Sequence, residues 1–433
     1  MFSTVTRAQP KFVCAKMATR ITGSLFGSVY VTGLQKFKNT FATKSFGDAP
    51  RTDKLTLATA SGTMSMYSVM DANGVINNKE NEPTVSKEDA VSMYKNMLAI
   101  NHLDQVLYEA QRQGRISFYM TSHGEEALVS TALALDPNDY VYTQYRELGV
   151  FLQRGYTIDD VMNQCFSNKY DPAKGRQMPV HYGSKKLKLM TVSSPLATQI
   201  PQAAGTGYAL KREGNGNVVM CYFGDGAASE GDFHAALNMA ATLSCPTIFF
   251  CRNNGYAIST PSTEQYKGDG IVSRGAGYGI ASIRVDGNDL WALYNATKAA
   301  RDYASTQNKP VLIEAMTYRV GHHSTSDDST SYRPKKEAED WTRKDNPITR
   351  YRRWLEDKGW WNNELDNQER VALRRAVLES LSRAEKCKKP NINYMFTDVY
   401  DELTQNLKEE IAEMQQLVNK YPDYYKINEH SRE

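Results

Sequence analysis

Two short polar clusters, Gly224-Asp225-Gly226 and Asn253-Asn254, each close an apolar run that reads as a β-strand, Val218 to Phe223 and Thr247 to Arg252. A helix-like stretch lies between them. This strand, turn, helix, strand unit would set a carboxylate and a carboxamide side by side at the C-terminal edge of a parallel sheet, where open α/β sheets bind ligands. Oxygen donors of this kind suit magnesium, which uses one or two protein carboxylates and takes waters and phosphate oxygens as its other ligands. The pair therefore reads as a diphosphate clamp rather than an all-protein cage. One glycine would let the chain turn sharply, and the other would let backbone N–H groups approach a phosphate at a helix N-terminus. Either cluster alone is also what an ordinary βα turn or an Asn-Asn-Gly turn looks like. Twenty-six residues between them, with βαβ context on both sides, make the combination specific.

The elements that must position these residues alternate along the chain. Ser86 with Asp89 three residues later starts a helix, apolar residues recur at Val91, Leu98, Leu103, Val106 and Leu107, and Gly114 stops it. A second helix is expected over Glu125 to Leu135, then a strand over Tyr140 to Thr143, with Tyr145-Arg146-Glu147 at its end. Further units follow at Ile200 to Leu210, Ile283 to Val285 and Val311 to Tyr318, a doubly wound α/β pattern with a mostly parallel sheet and flanking helices. From Arg319 to Tyr332 the texture becomes polar and aperiodic (GHHSTSDDSTSY), which reads as a long functional loop. Residues 335 to 420 are charged and helical, a C-terminal region expected to pack on the sheet domain.

The first 47 residues carry seven basic side chains, many Ser and Thr, and no Asp or Glu. With apolar residues such as Phe12, Val13, Leu25 and Phe26 interleaved, they read as an organellar transit peptide rather than a basic arm for nucleic acid. Setting those seven aside leaves 45 Lys and Arg against 49 Asp and Glu, so residues 48 to 433 are mildly acidic. No apolar run approaches the ~20 residues of a membrane span. The six cysteines form no CxxC pair and show no metal-ligand spacing, so they read as reduced thiols, mostly buried, with Cys221 and Cys251 inside the two central strands. The organisation expected is a transit peptide over residues 1–47, an extended segment over 48–85, a cofactor-binding α/β domain over 86–334 and a helical region over 335–433.

The GDG and NN pair resembles the thiamine diphosphate motif. Together with QRQGRISFYM, QYRELG, KGRQMPVHYG, SSPLATQIPQA, FGDGAASEGDFHAALN, FFCRNNGYAISTP, SIRVDGND and EAMTYRVGHHSTSDDS, it closely resembles the alpha subunits of the branched-chain 2-oxo acid dehydrogenase decarboxylase component, across nearly all of the chain after residue 47. The resemblance implies the thiamine diphosphate-binding fold in a mitochondrial matrix protein. It also implies a heterotetramer of two alpha and two beta subunits with thiamine diphosphate between them. Such an enzyme decarboxylates branched-chain 2-oxo acids and acylates the lipoyl group of a partner acyltransferase.

By the same resemblance Asp225, the Asn254 side chain and the Tyr256 carbonyl would hold magnesium. Mammalian members carry Glu where this chain has Asp225, and the shorter side chain still supplies an oxygen. Gly226 and Ala227 would offer backbone donors to the diphosphate, and Tyr145, Arg146 and Arg252 would neutralise it, arginine suiting phosphate through its planar fork. Ser194 and Leu196 would face the cofactor, Leu196 as an apolar wedge, and Ser193, Pro195, Thr198 and Gln199 would surround potassium. His323 would be the active-site histidine, also touching the cofactor, with a charge state adjustable near neutral pH. Ser324 matches a serine phosphorylated by the family's dedicated kinase and released by a phosphatase, whereas a second such serine falls at Pro334 and is lost. The glutamate that activates the cofactor's aminopyrimidine belongs to the beta subunit, so this chain would hold half an active site.

Two other readings compete. The alpha subunit of pyruvate dehydrogenase shares GDG and NN and differs chiefly in substrate; TYRVGHHSTSDD and VHYGSKKL favour the branched-chain family. A non-catalytic scaffold of the same fold would not need Asp225, Asn254, Arg146, Arg252 and His323 all intact. A Rossmann dehydrogenase is disfavoured: Gly205-Thr206-Gly207 has Leu210 at the third fingerprint position, and Gly275-Ala276-Gly277 follows no clear strand.

Overall fold

In the computed structural model the chain divides into two units, Met1–Thr56 and Leu57–Glu433. The described residues, 62–432, all belong to the second, so the expected transit peptide and residues 48–61 lie outside them. The strands are β1 (Tyr140–Tyr142), β2 (Val219–Gly224), β3 (Thr247–Asn253), the short antiparallel pair β4 (Tyr256–Ala257) and β5 (Thr260–Pro261), β6 (Ala281–Asp286) and β7 (Val311–Met316). Five of them form a wholly parallel sheet in the order β1-β2-β3-β7-β6.

Side chains alternate across a strand, and here both faces are covered, so the central strands are continuous apolar runs rather than polar–apolar alternations. Met220, Tyr222, Ile248, Phe250 and Ile313 join the core formed with the helices Lys87–Arg112, Leu290–Gln307, Pro347–Asp357 and Asn363–Lys386. Val219, Cys221, Phe223, Phe249, Cys251 and Leu312 join the opposite core, closed by Gln199–Glu213 and Gly231–Leu243. Truncating a ring such as Phe249, which has no solvent exposure, to alanine would cost about 3–5 kcal/mol.

Local signals explain most boundaries. Ser86 accepts a hydrogen bond from the Asp89 N–H and caps the first long helix, and Gly114 lies just beyond its end at φ +73°. The helix expected over residues 125–135 is shorter: a 3-10 turn, Glu126–Leu128, leads into Val129–Leu133. There Ser130 and Thr131 turn their hydroxyls back onto the Ala127 and Leu128 carbonyls, in competition with the helix ladder. Residues 62–85 are not extended throughout. Tyr67 pairs in parallel with Val285 at the sheet edge, then the chain turns between Met70 and Ile76 and forms a 3-10 turn at Lys79–Asn81. Among the described residues, no helix is long and apolar enough to cross a membrane. Four of their five cysteines are buried and all five are free, as expected.

Candidate active site

The ends of β1, β2, β3 and β7 deliver their following residues to one edge. Asp225 follows β2, Asn254 follows β3, and Gly255 (φ +85°) turns the chain into the β4–β5 hairpin that carries Tyr256. A Cβ built on Gly226 would lie 2.9 Å from that of Ala257, so glycine lets the first turn rest against the hairpin. Neither Gly224 nor Gly226 has positive φ, which corrects the expectation that one of them serves a sharp turn. A 3-10 turn, Ala227–Ser229, also intervenes before the helix Gly231–Leu243. The N–H groups of Gly226 and Ala227 therefore open a 3-10 turn rather than that helix, and the first N–H groups of such a turn have no partner within it.

Asp225 is 2 % exposed and accepts one hydrogen bond from the Gln265 amide at 2.7 Å. Burial pushes its pKa up, which the Gln265 hydrogen bond only partly offsets. Arg252 acts on it only at a distance, and a buried carboxylate without a salt-bridge partner is a place where a metal ion would relieve the cost of desolvation. Asn254 is fixed beside it: its amide nitrogen donates to Glu125 Oε1 at 2.8 Å, which commits its Oδ1 as the acceptor. Among the described residues no group of three or more His, Cys, Asp and Glu could hold a metal, so Asp225, Asn254 and a carbonyl would need phosphate oxygens to complete a magnesium shell.

Arg252 lies beneath this edge, 1 % exposed, and its guanidinium is shared by Glu125 at 2.7 Å, Glu147, and Gln144 at 3.1 Å. Burial opposes its charge, but Glu147 and Glu125 more than compensate and raise its pKa. Burial likewise raises Glu147, whereas Arg252 and Arg146 overcome burial at Glu125 and hold it low. Gln144 also accepts from the Gly224 N–H at 2.7 Å, tying the end of β2 to the segment after β1. Arg252 thus organises the floor of the site through protein partners.

The histidine loop covers the same edge. Arg146 donates to the Thr121 carbonyl and the His323 carbonyl, both at 2.6 Å, and approaches His323 Nδ1 at 3.2 Å. Arg319 reaches the same Nδ1 at 3.4 Å, the Tyr332 hydroxyl at 2.7 Å and the Ile258 carbonyl at 2.7 Å. A guanidinium only donates, so Nδ1 must accept and the proton of neutral His323 sits on Nε2. Burial, Arg146 and Arg319 together lower the His323 pKa to about 3, making it a neutral donor at physiological pH. Tyr145 packs edge-on to its ring, with centroids 6.0 Å apart. His322 is separated from it in role: its Nδ1 accepts the Ser329 N–H at 2.9 Å and braces the loop. Arg146, Arg319 and Arg333 are all buried, and among the described residues none has a carboxylate salt bridge. Such desolvated positive charge around His323 suits an anion.

In the Ser193–Gln199 segment, the Thr198 hydroxyl donates to the Pro195 carbonyl at 3.1 Å, and Gln199 donates to the Tyr222 carbonyl at 3.1 Å, leaving Gln199 Oε1 as an acceptor. Leu196 is 39 % exposed, and Ser194 bonds His181 at 2.6 Å. Sequence reasoning missed Glu125, Glu147, Gln144, Gln265, Arg319, Arg333 and His181. Signals existed for several: Glu125 and Glu126 open the mostly apolar run EEALVSTALAL, and Gln144, Glu147, His181 and Arg319 stand inside QYRELG, KGRQMPVHYG and EAMTYRVGHHSTSDDS.

The model of the family described as dehydrogenase E1 component matches residues 94–393. Among similar proteins, 2-oxoisovalerate dehydrogenase subunit alpha, mitochondrial, of Dictyostelium discoideum is 55 % identical over 380 residues, covering 87 % of this chain and 86 % of its own. The Homo sapiens protein of that name is 54 % identical, with 84 % and 82 % covered. Subunit alpha 2 of Arabidopsis thaliana is 51 % identical, with 83 % and 76 % covered.

Proposed function

We propose a function for this chain from one premise, that it belongs to the dehydrogenase E1 component family: it is the alpha subunit of a mitochondrial 2-oxo acid dehydrogenase acting on branched-chain substrates. The observation that carries the reading is the pairing, at one sheet edge, of an uncompensated buried carboxylate with guanidiniums that lack carboxylate partners. A magnesium-bound diphosphate answers both.

Asp225, Asn254 Oδ1 and the Tyr256 carbonyl would hold magnesium, and Glu125 orients the asparagine for it. The backbone of Gly226 and Ala227, with Tyr145 and Arg146, would receive the diphosphate. Arg252 acts from below, its charge balanced by Glu125 and Glu147. Thiamine diphosphate supplies the electron sink that decarboxylation requires. Neutral His323 offers Nε2–H toward reacting oxygens, which suits hydrogen-bond donation during acyl transfer. Ser193, Pro195, Thr198 and Gln199 would take potassium, since hydroxyl, carbonyl and amide oxygens coordinate a hard cation without adding charge. Ser324, adjacent to His323, is where phosphorylation by a kinase would place negative charge in front of the site.

A beta subunit fits the surface as well as the chemistry. The helices Gln199–Glu213 and Gly231–Leu243 leave Tyr208, Met239 and Leu243 exposed, and the helix Gln405–Lys420 buries nothing. The test is to co-express residues from about 48 onward with the cognate beta subunit and assay thiamine-dependent decarboxylation. Turnover of branched-chain 2-oxo acids above pyruvate is expected, and none by this chain alone. Preference for pyruvate, or turnover without the partner, would overturn the reading.

A further inference from the structure

The segment 119–123 belongs to no helix or strand, and its backbone is held from two sides. On one side its carbonyls receive the histidine loop: Tyr119 accepts from the Thr325 N–H and hydroxyl, both at 3.2 Å, and His123 from the Val320 N–H at 3.2 Å. Between them the Thr121 carbonyl accepts Arg146, which also holds the His323 carbonyl. Gly321 crosses directly over this row, since a Cβ there would lie 2.8 Å from Thr121 Oγ1. On the other side Asp104, from the helix Lys87–Arg112 and without solvent exposure, accepts from the Tyr119 hydroxyl at 2.9 Å and the Ser122 N–H at 2.6 Å. The loop that carries His323 therefore rests on carbonyls fixed through one buried carboxylate.

That carboxylate shares its surroundings with two further titratable groups. His123 Nε2 is buried without a hydrogen-bond partner, 3.7 Å from Asp104 Oδ2, and buried Glu126 accepts the Gly124 N–H at 3.0 Å. Arg146 is the permanent charge facing the group, and Tyr119, with Cys165 and Tyr182 behind it, stays neutral. Two ionised carboxylates beside a neutral imidazole would outweigh one guanidinium out of water, so the three groups keep a proton among them. Burial pushes the Asp104 and Glu126 carboxyls up to about 7 each and lowers His123. We propose that Asp104 is a positioning residue for the histidine loop: through Tyr119 and Ser122 it fixes the carbonyls on which the loop rests, and it holds them firmly only while the group it forms with His123 and Glu126 keeps its proton. The bearing on the reaction rests on His323 being the active-site histidine; the seating of the loop does not. Because burial raises the carboxyl groups, the seated loop binds protons more tightly than a lifted one that water has reached. Seating is therefore firmest below the ordinary carboxylate range and weakens as pH rises toward about 7.

The test is hydrogen exchange of the loop amides in the chain assembled with its beta subunit, each rate divided by that of an unstructured amide at the same pH. Protection of residues 320–325 should fall as pH rises from about 5 to about 7, by up to about tenfold per pH unit for one proton, and level off above. Asp104→Asn mimics the protonated form, its Oδ1 accepting the Ser122 N–H and its Nδ2 donating to the Tyr119 hydroxyl, so it should keep the loop protected at the upper pH and flatten the dependence. Asp104→Ala leaves both donors unpaired and should lower protection at every pH; if it does not fold, the asparagine variant carries the test. Protection independent of pH in the native complex, or an undiminished pH dependence in Asp104→Asn, would overturn the proposal. The ratio of acyl-transfer rates, Asp104→Asn over native, should rise with pH in step with protection. A flat ratio alongside diverging protection would overturn the role of His323 in the reaction and leave the seat of the loop established.

Discussion

Gly226→Ala separates the site's geometry from the chain's ability to fold. Gly226 sits at φ −62° and ψ −39°, a conformation alanine prefers, so the backbone poses no obstacle. The new methyl would lie 2.9 Å from the Ala257 Cβ and 3.5 Å from its Cα. Carbon atoms pack best at about 3.5–4.0 Å, and neither methyl can rotate away, so the two backbones must part by roughly 0.6–1 Å. Overpacking of that size costs about 1–3 kcal/mol of stability, which a large α/β core survives. Asp225 would move with the turn and Tyr256 with the hairpin, whereas metal sites tolerate about 0.2 Å. A misplacement near 1 Å can cost about 100-fold in rate. Calorimetric titration of thiamine diphosphate and magnesium into the assembled complex should show strongly reduced affinity, with thermal unfolding only slightly lowered. Adding Ala257→Gly should restore binding. Unchanged affinity in the single variant, or no recovery in the double, would refute the close packing of turn against hairpin as the reason for glycine.

Asp225→Asn should lower magnesium-dependent cofactor affinity by at least the 10- to 100-fold seen for outer-shell partners of metal ligands, measured by the same titration. Because burial raises the Asp225 pKa, its carboxylate withdraws stability as pH rises from the unfolded pKa through the folded one; the cofactor-free variant should therefore be more stable than the native chain at neutral pH, and a lower melting temperature would contradict this. The His323 pKa is held near 3, below its unfolded value, so the stability it contributes is full above pH ~6.5 and is lost as pH falls toward 3. Arg319→Met removes one of the charges responsible and should bring an acidic limb into the kcat/KM profile at higher pH than in the native enzyme; superimposable profiles would show that Arg319 does not tune this histidine. Ser324→Glu should depress acyl transfer, on the order of 1 kcal/mol or about fivefold for a charge near a solvated opening, with an ionic-strength dependence that Ser324→Ala lacks. Equal rates across salt concentrations would exclude proximity of Ser324 to the incoming substrate.

What was legible in the chain was local. β2 and β3 announced themselves because strands covered on both faces are uninterrupted apolar runs, and both end where their turn residues begin. The helix Ile158–Cys165 was missed although Thr157 and Asp160 form a capping box that the sequence displays. The contacts that define the site are of another kind. Glu125 meets Arg252 across 127 residues and Asn254 across 129, and no periodicity encodes such a meeting. His322 and His323 are indistinguishable by residue type; only the fold turns one toward Ser329 and the other toward Arg146 and Arg319. The glycine of the first turn was legible as a glycine, but its reason, the approach of Ala257, was not.

The most direct measurement is a structure of the assembled complex grown with thiamine diphosphate and manganese in place of magnesium, located by its anomalous scattering. One peak per alpha subunit is expected within bonding distance of an Asp225 carboxylate oxygen, Asn254 Oδ1 and the Tyr256 carbonyl, with diphosphate oxygens completing the shell. A metal bound away from these three residues, or a diphosphate seated without contact to the Gly226–Ala227 turn, would contradict the clamp on which the proposed function depends.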